Sequence, residues 1–187
     1  MLSAIIKCCA SEHLLPRDDA FFSLARSIVG QQISVKAAQS IWNRLVEELG
    51  GMNVVKVAST NPERIRSCGV TRQKSAYLLD LAQHFQDGKL ETLSWKRLDD
   101  EQVIKDVTQV KGVGRWTAEM FLIFRLLRPD VLPLGDIGIQ KAMRLHFNDG
   151  DPMSEDAMTA RAEPWRPWRS VAVWYLWRSL DPQPVDY

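Results

Sequence analysis

A stretch of nine residues, Val110-Lys111-Gly112-Val113-Gly114-Arg115-Trp116-Thr117-Ala118, constrains this chain more than any other. Two glycines one residue apart interrupt helical patterning on both sides, and glycine reaches positive φ without the steric penalty other residues meet. The stretch predicts a tight hairpin between two helices, with backbone N–H groups turned outward as they are in anion-binding turns. Lys111 and Arg115 flank the turn, so it reads as a grip on a nucleic-acid backbone that carries no base specificity. The competing reading is an ordinary helix connection, because glycine turns are common. A dinucleotide-binding loop is excluded: the third glycine position holds Thr117, and a helix rather than a strand precedes the turn.

Helix punctuation runs through the rest of the chain. Asp18 or Asp19 can cap a helix with Phe21, Leu24, Ala25 and Ile28 on its apolar face, ending near Gly30. Ser34 can cap the next, which carries Val35, Ala38, Ile41, Trp42, Leu45 and Leu49 and stops at Gly50-Gly51. Pro62 and Gly69 bracket a short helix, and Thr71 opens a longer one that stops at Gly88. A helix from Asp99 or Asp100 leads to the hairpin, Arg115 to Leu127 lies beyond it, and further helices follow near 137–147, 154–163 and 167–180. Strand-like alternation is nearly absent, with Val131 to Leu134 a short extended loop, so the expected fold class is all-α.

Composition limits the reading of charge. The formal net charge is +1, far from the basic excess of a protein that coats DNA, so any nucleic-acid surface must be local. Three clusters are candidates: Arg64, Arg66, Arg72 and Lys74; Lys111 and Arg115; and Arg161, Arg166, Arg169 and Arg178. Taken alone, such charge runs are more often solvated faces than binding sites. Cys8, Cys9 and Cys68 are odd in number and fit no metal-ligand spacing, which argues for a reducing compartment. Lys7 and Glu12 interrupt the amino-terminal apolar residues and no apolar run spans a bilayer, so the expectation is a soluble, intracellular protein.

Asp136 stands just before a helical stretch, where the plain reading is an N-cap. The role of electrostatic stabiliser is compatible with it, since the positive end of the helix dipole favours an ionised carboxylate. Of the seven tryptophans, Trp42 and Trp95 read as packing. Trp165, Trp168, Trp174 and Trp177 crowd together among Arg166, Arg169 and Arg178, and with Trp116 they offer aromatic faces that could stack a planar base. Hairpin grip plus carboxylate points to an enzyme acting on DNA.

The hairpin string, with Asp136 twenty residues after Trp116, resembles the helix-hairpin-helix DNA glycosylases, and within them the alkylation-repair branch called 3-methyladenine DNA glycosylase II in its compact form. Ile28-Val29-Gly30-Gln31-Gln32-Ile33-Ser34-Val35-Lys36-Ala37-Ala38 is similar to that family's DNA-probing loop, and Trp165-Arg166-Pro167-Trp168-Arg169-Ser170 followed by Trp177 to its carboxy-terminal signature. The resemblance implies one domain over 1–187, with two helical lobes (about 1–30 plus 129–187, and 31–128 containing the hairpin 108–116) and a cleft between them. It implies that Asp136 is the catalytic carboxylate, that Trp116 and Trp177 line the pocket for an extruded base, and that Gln32 is the wedge filling the gap left in the duplex. Lys111, Gly112, Val113, Gly114 and Arg115 would bind DNA phosphate. The carbonyls of Thr108, Val110 and Val113 match those that hold a monovalent cation, Na+ or K+, in family members; no cofactor is otherwise required. The family's pocket tyrosines fall here on Met120 and Ile137, which implies a more aliphatic pocket.

The implied partner is double-stranded DNA containing alkylated bases, met by a monomer. The implied reaction is hydrolysis of the N-glycosidic bond of cationic purines such as 3-methyladenine and 7-methylguanine, leaving an abasic site. Two rival functions are weighed against it. A non-catalytic helix-hairpin-helix module needs neither Asp136 nor the tryptophan cluster. A strand-cleaving lyase of the endonuclease III kind normally has lysine at the position of Trp116, and often four cysteines near the carboxy terminus.

Overall fold

The computed structural model describes residues 2–8, 19–90 and 92–180. Among them are eleven α-helices, two single-turn 3-10 segments and no strand, as the punctuation predicts. In chain order the helices are α1 (Leu2–Cys8), α2 (Ala20–Gly30), α3 (Val35–Leu49), α4 (Val54–Ala58), α5 (Pro62–Ser67), α6 (Arg72–Gln86), α7 (Asp100–Val107), α8 (Arg115–Phe124), α9 (Ile137–Phe147), α10 (Glu155–Ala162) and α11 (Arg169–Leu180). No helix of the described residues is long and apolar enough to cross a membrane.

The starts follow from side-chain caps. Asp19, Ser34, Asn53, Asn61, Thr71, Asp136 and Ser154 each accept a hydrogen bond from an otherwise orphaned first-turn N–H. Asp99 goes further and forms a reciprocal capping box with Gln102. Asp18, the alternative first cap, lies outside the described residues, as do Cys9 and Glu12. Two short helices, α1 and α4, had no signal in the sequence strong enough to mark them. The α8 helix stops at Phe124, three residues before the expected Leu127, because Leu127 turns to φ 52° and the Arg128 N–H returns to the Leu122 carbonyl (2.9 Å).

The described residues fall into two compact units, one of residues 2–8 and 122–180 and the other of 19–121. In the second, α2 packs on α3 and α6 and so belongs with the hairpin, not with the carboxy-terminal helices with which it was expected to group. Phe21 meets Phe85 edge-on (5.6 Å) and Phe22 meets Trp42 (4.8 Å), tying α2 to both neighbours. Leu24, Ile28, Leu78 and Leu81 are fully buried, each contributing ~1.5–3 kcal/mol of apolar burial. Trp95 is sealed against Phe121, with its indole N–H donating to Asp106 (3.2 Å), which confirms the packing role read for it. In the first unit α11 lies against both α9 and α1. Met143 of α9 and Val173 and Leu176 of α11 are fully buried there.

Candidate active site

Asp136 is 5% exposed and is the N-cap of α9. Its Oδ1 accepts two hydrogen bonds, from the Ile139 backbone N–H (2.7 Å) and from the Trp177 indole N–H (2.8 Å). The N-cap reading of Asp136 is met, and the same oxygen is held a second time: the cap fixes the carboxylate along the helix axis, and the indole fixes its rotation. Trp177 is held in turn by Phe124, whose ring stacks on it at 5.6 Å and 19°. Gly138 makes room for the pair. A Cβ there would lie 3.0 Å from Asp136 Oδ1 and 3.1 Å from Trp177 Cδ1, so the first turn of α9 presses backbone against both. Phe124 and Gly138 are site residues the sequence reading missed, and nothing local marks them, since Phe124 precedes Trp177 by more than fifty positions.

The loop leading to Asp136 is clamped by the segment 165–170. Arg169 forms a fork on Asp130, with Nε to Oδ1 at 2.7 Å and Nη2 to Oδ2 at 2.9 Å, and Arg166 adds a bond to Oδ2 (2.7 Å). Ser170 donates to the Arg128 carbonyl (2.6 Å) and accepts from the Val131 N–H (2.9 Å). Burial opposes ionisation of Asp130, but the bonds and charge of Arg169, with Arg166 behind them, outweigh it and hold the carboxyl below its usual range. The members of the third basic cluster thus have partners within the fold, with Arg161 over the Phe147 ring and Arg178 over the Trp174 ring, although Arg161 and Arg166 remain exposed. Trp168 stands exposed between these clamps.

The hairpin forms as expected between α7 and α8, with one correction: Gly112 alone takes positive φ (79°), and Gly114 does not. At Gly112 a Cβ would fall 2.1 Å from the Tyr77 ring, so glycine is required for space as well as for φ. Val113 is buried and its N–H closes the turn on the Val110 carbonyl (3.1 Å). Gly114, which precedes α8, has no side chain to cap it. The two cations are not loose. Lys111 donates its backbone N–H to Asp80 (2.9 Å) and pairs with it through Nζ (3.2 Å). Arg115 grips Glu101 with two nitrogens (2.9 and 2.5 Å) and Glu119 with a third (3.0 Å). The Glu101 bonds, foremost, raise the guanidinium pKa above its ordinary value.

Gln32, between α2 and α3, is exposed and takes φ 60°, left-handed for a residue that pays a steric cost there. Met120 is 3% exposed, so it can back a pocket but offers almost no surface to a ligand; Ile137 is 80% exposed on the first turn of α9, one residue from Asp136. Trp116 is the second residue of α8 and half-buried. In the first basic cluster Arg64 pairs with Glu48 (2.8 Å) and Arg66 with Glu63 (2.6 Å), while Lys74 points inward to backbone carbonyls. Among the described residues no group of three or more His, Cys, Asp or Glu side chains could hold a metal ion.

Residues 25–167 match the model of the HhH-GPD superfamily base excision DNA repair protein. The chain is 30% identical to the YfjP protein of Bacillus subtilis over 96% of its own length, spanning 66% of that protein. It superposes on the crystal structure of the Bacillus halodurans DNA-3-methyladenine glycosidase with a TM-score of 0.88 and 32% identity, covering 96% of this chain and 84% of that one. Against the Schizosaccharomyces pombe 3-methyladenine DNA glycosylase Mag1, solved in complex with abasic DNA, the TM-score is 0.79 at 28% identity, covering 98% and 93%. With hairpin, carboxylate and signature all inside or beside the matched span, the chain belongs to the HhH-GPD superfamily of base excision DNA repair proteins.

Proposed function

We propose that this chain is a monofunctional DNA glycosylase that flips alkylated, cationic purines such as 3-methyladenine and 7-methylguanine out of duplex DNA and hydrolyses their N-glycosidic bond. The observation that carries the reading is the Asp136 carboxylate, buried and fixed through one oxygen by a backbone amide and the Trp177 indole. The names of the matched relatives support the same substrate class.

Alkylation at N3 or N7 leaves the purine positively charged. As the bond from the anomeric carbon to the base nitrogen breaks, its electron pair goes to the base, which departs neutral and needs no strong general acid. Positive charge moves to the sugar, where the Asp136 carboxylate stabilises it. Water then attacks the anomeric carbon and gives up a proton, leaving an abasic site in an unbroken strand. Trp177, beside Asp136, supplies an aromatic face for the cationic ring, a contact worth on the order of 1–2 kcal/mol when desolvated. Ile137, exposed one residue from Asp136, adds an apolar edge. Because Trp116 occupies the position where a lyase carries lysine, no Schiff base forms.

Phosphate binding falls mainly to the backbone N–H groups of Gly112 and Gly114, since the Val113 N–H already closes the turn on Val110 and Lys111 and Arg115 are paired. The Thr108, Val110 and Val113 carbonyls are hard neutral oxygens suited to Na+ or K+, and Val110 keeps a second lone pair beside its bond from Val113. Such an ion would lend the hairpin positive charge. The protein acts as a monomer on duplex DNA. Chromatography of bases released from methylated and deaminated DNA tests the substrate class: 3-methyladenine and 7-methylguanine are expected, and faster release of hypoxanthine than of 3-methyladenine would overturn it.

A further inference from the structure

Lys74, Tyr77 and Asp80 are spaced three apart on α6 and share one helix face. Each touches a different part of the DNA-facing apparatus within the 19–121 unit. Lys74 Nζ donates to the carbonyls of Val29 (2.7 Å) and Gln31 (2.6 Å), at the end of α2 and one residue past it. An ammonium there satisfies carbonyls a helix terminus leaves orphaned and complements the negative end of its dipole. Gln32, at φ 60°, follows immediately. The Gln31 side chain reaches the hairpin and donates from Nε2 to the Gly112 carbonyl (2.9 Å). The Tyr77 ring fills the space beside Gly112, and Asp80 holds the Lys111 amide (2.9 Å) and ammonium (3.2 Å). One face of α6 thus binds the loop of Gln32 and the hairpin turn at three successive points.

We propose that Lys74 and Gln31 are positioning residues that hold Gln32 in its left-handed conformation and lock its loop to the hairpin, so that phosphate capture and entry of the wedge into the duplex are coupled by α6. The inference rests on the reading of Gln32 as wedge in an alkyl-base glycosylase. Lys74 reads from the sequence as part of a surface basic cluster; its placement against carbonyls gives it a different task. Burial also pushes its ammonium pKa below the ordinary lysine value, consistent with an enclosed, bonded group.

The test compares Lys74→Met, Gln31→Ala, Gln32→Ala and the Lys74→Met/Gln32→Ala double variant with the parent, measuring single-turnover release of 7-methylguanine from a duplex and from the same strand alone. Loss of positioning should lower the duplex-to-single-strand rate ratio by about tenfold, the scale of a group misplaced by part of an ångström. The double variant should be no worse than Gln32→Ala, because Lys74 acts through the wedge. Gln31→Ala keeps the test valid if Lys74→Met fails to fold, since Gln31 lies in a half-buried loop. An unchanged ratio in both Lys74→Met and Gln31→Ala, or equal losses on the two substrates, would overturn the positioning role while leaving the glycosylase reading intact. A parent that releases no base from either substrate would instead sink both.

Discussion

Replacing Gly138 by alanine probes the site without replacing a proposed catalytic group. The new Cβ would stand 3.0 Å from Asp136 Oδ1, 3.1 Å from Trp177 Cδ1 and 3.2 Å from Trp177 Nε1, so a neighbour must shift by a few tenths of an ångström. Neither neighbour yields freely: Oδ1 is fixed by the Ile139 amide at 2.7 Å, and the Trp177 ring is stacked on Phe124 at 5.6 Å. Two stability effects oppose each other. Alanine gains about 1 kcal/mol over glycine in a helix, and weakening the indole–carboxylate bond costs ~1–3 kcal/mol where a buried partner is left short. The net is a loss of about 0–2 kcal/mol, a Tm drop of a few degrees for a chain of this size. Activity has no such compensation, because the displaced carboxylate is the group proposed to face the sugar, and a shift of this size should cost roughly tenfold or more in single-turnover excision. Thermal unfolding and excision of 7-methylguanine from duplex DNA, measured on the same preparation, separate the two effects. Excision within about twofold of the parent would refute the claim that the Asp136–Trp177 geometry sets the rate.

Glu101→Gln should release Arg115 toward phosphate, raising affinity for undamaged DNA several-fold and steepening the salt dependence by about one charge, as read by fluorescence anisotropy across a salt series. An unchanged slope would show that Glu101 does not restrain the cation. Asp130 has its carboxyl pKa depressed in the folded state, so its stabilisation is present above the unfolded carboxylate range and is lost as pH falls through the folded value. The Tm gap between the parent and Asp130→Asn should therefore be widest above about pH 5 and shrink below about pH 4; a gap that grows on acidification would contradict the clamp. Borohydride treatment during turnover should trap no protein–DNA adduct, and a stoichiometric adduct would overturn the monofunctional reading.

Helix boundaries were legible because they are local: Asp19, Ser34, Thr71 and Asp99 cap where their side-chain chemistry says they should. The hairpin was legible for the same reason, since Gly112 must take positive φ whatever packs around it. Asp136 was legible twice, as a cap and as a carboxylate, yet its bond to Trp177 crosses forty-one positions and has no local sign. What the basic clusters pair with was not legible, because charge in a sequence carries no partner. Asp130 consumes Arg166 and Arg169, Glu101 and Glu119 consume Arg115, and the carbonyls of Val29 and Gln31 consume Lys74. Met120 shows the same gap: its position in the string is local, but its burial is set by the packing of α8.

Asp136→Asn is the most direct test of the central claim. Asparagine keeps the shape, remains a good N-cap and can still accept from the Ile139 amide and the Trp177 indole, so the change removes the charge and little else. Single-turnover excision of 7-methylguanine should fall by about 10²-fold or more, while binding to DNA carrying an abasic-site analogue stays near that of the parent. Excision within about threefold of the parent, in a variant that folds and binds, would contradict the assignment of Asp136 as the carboxylate that stabilises the sugar cation.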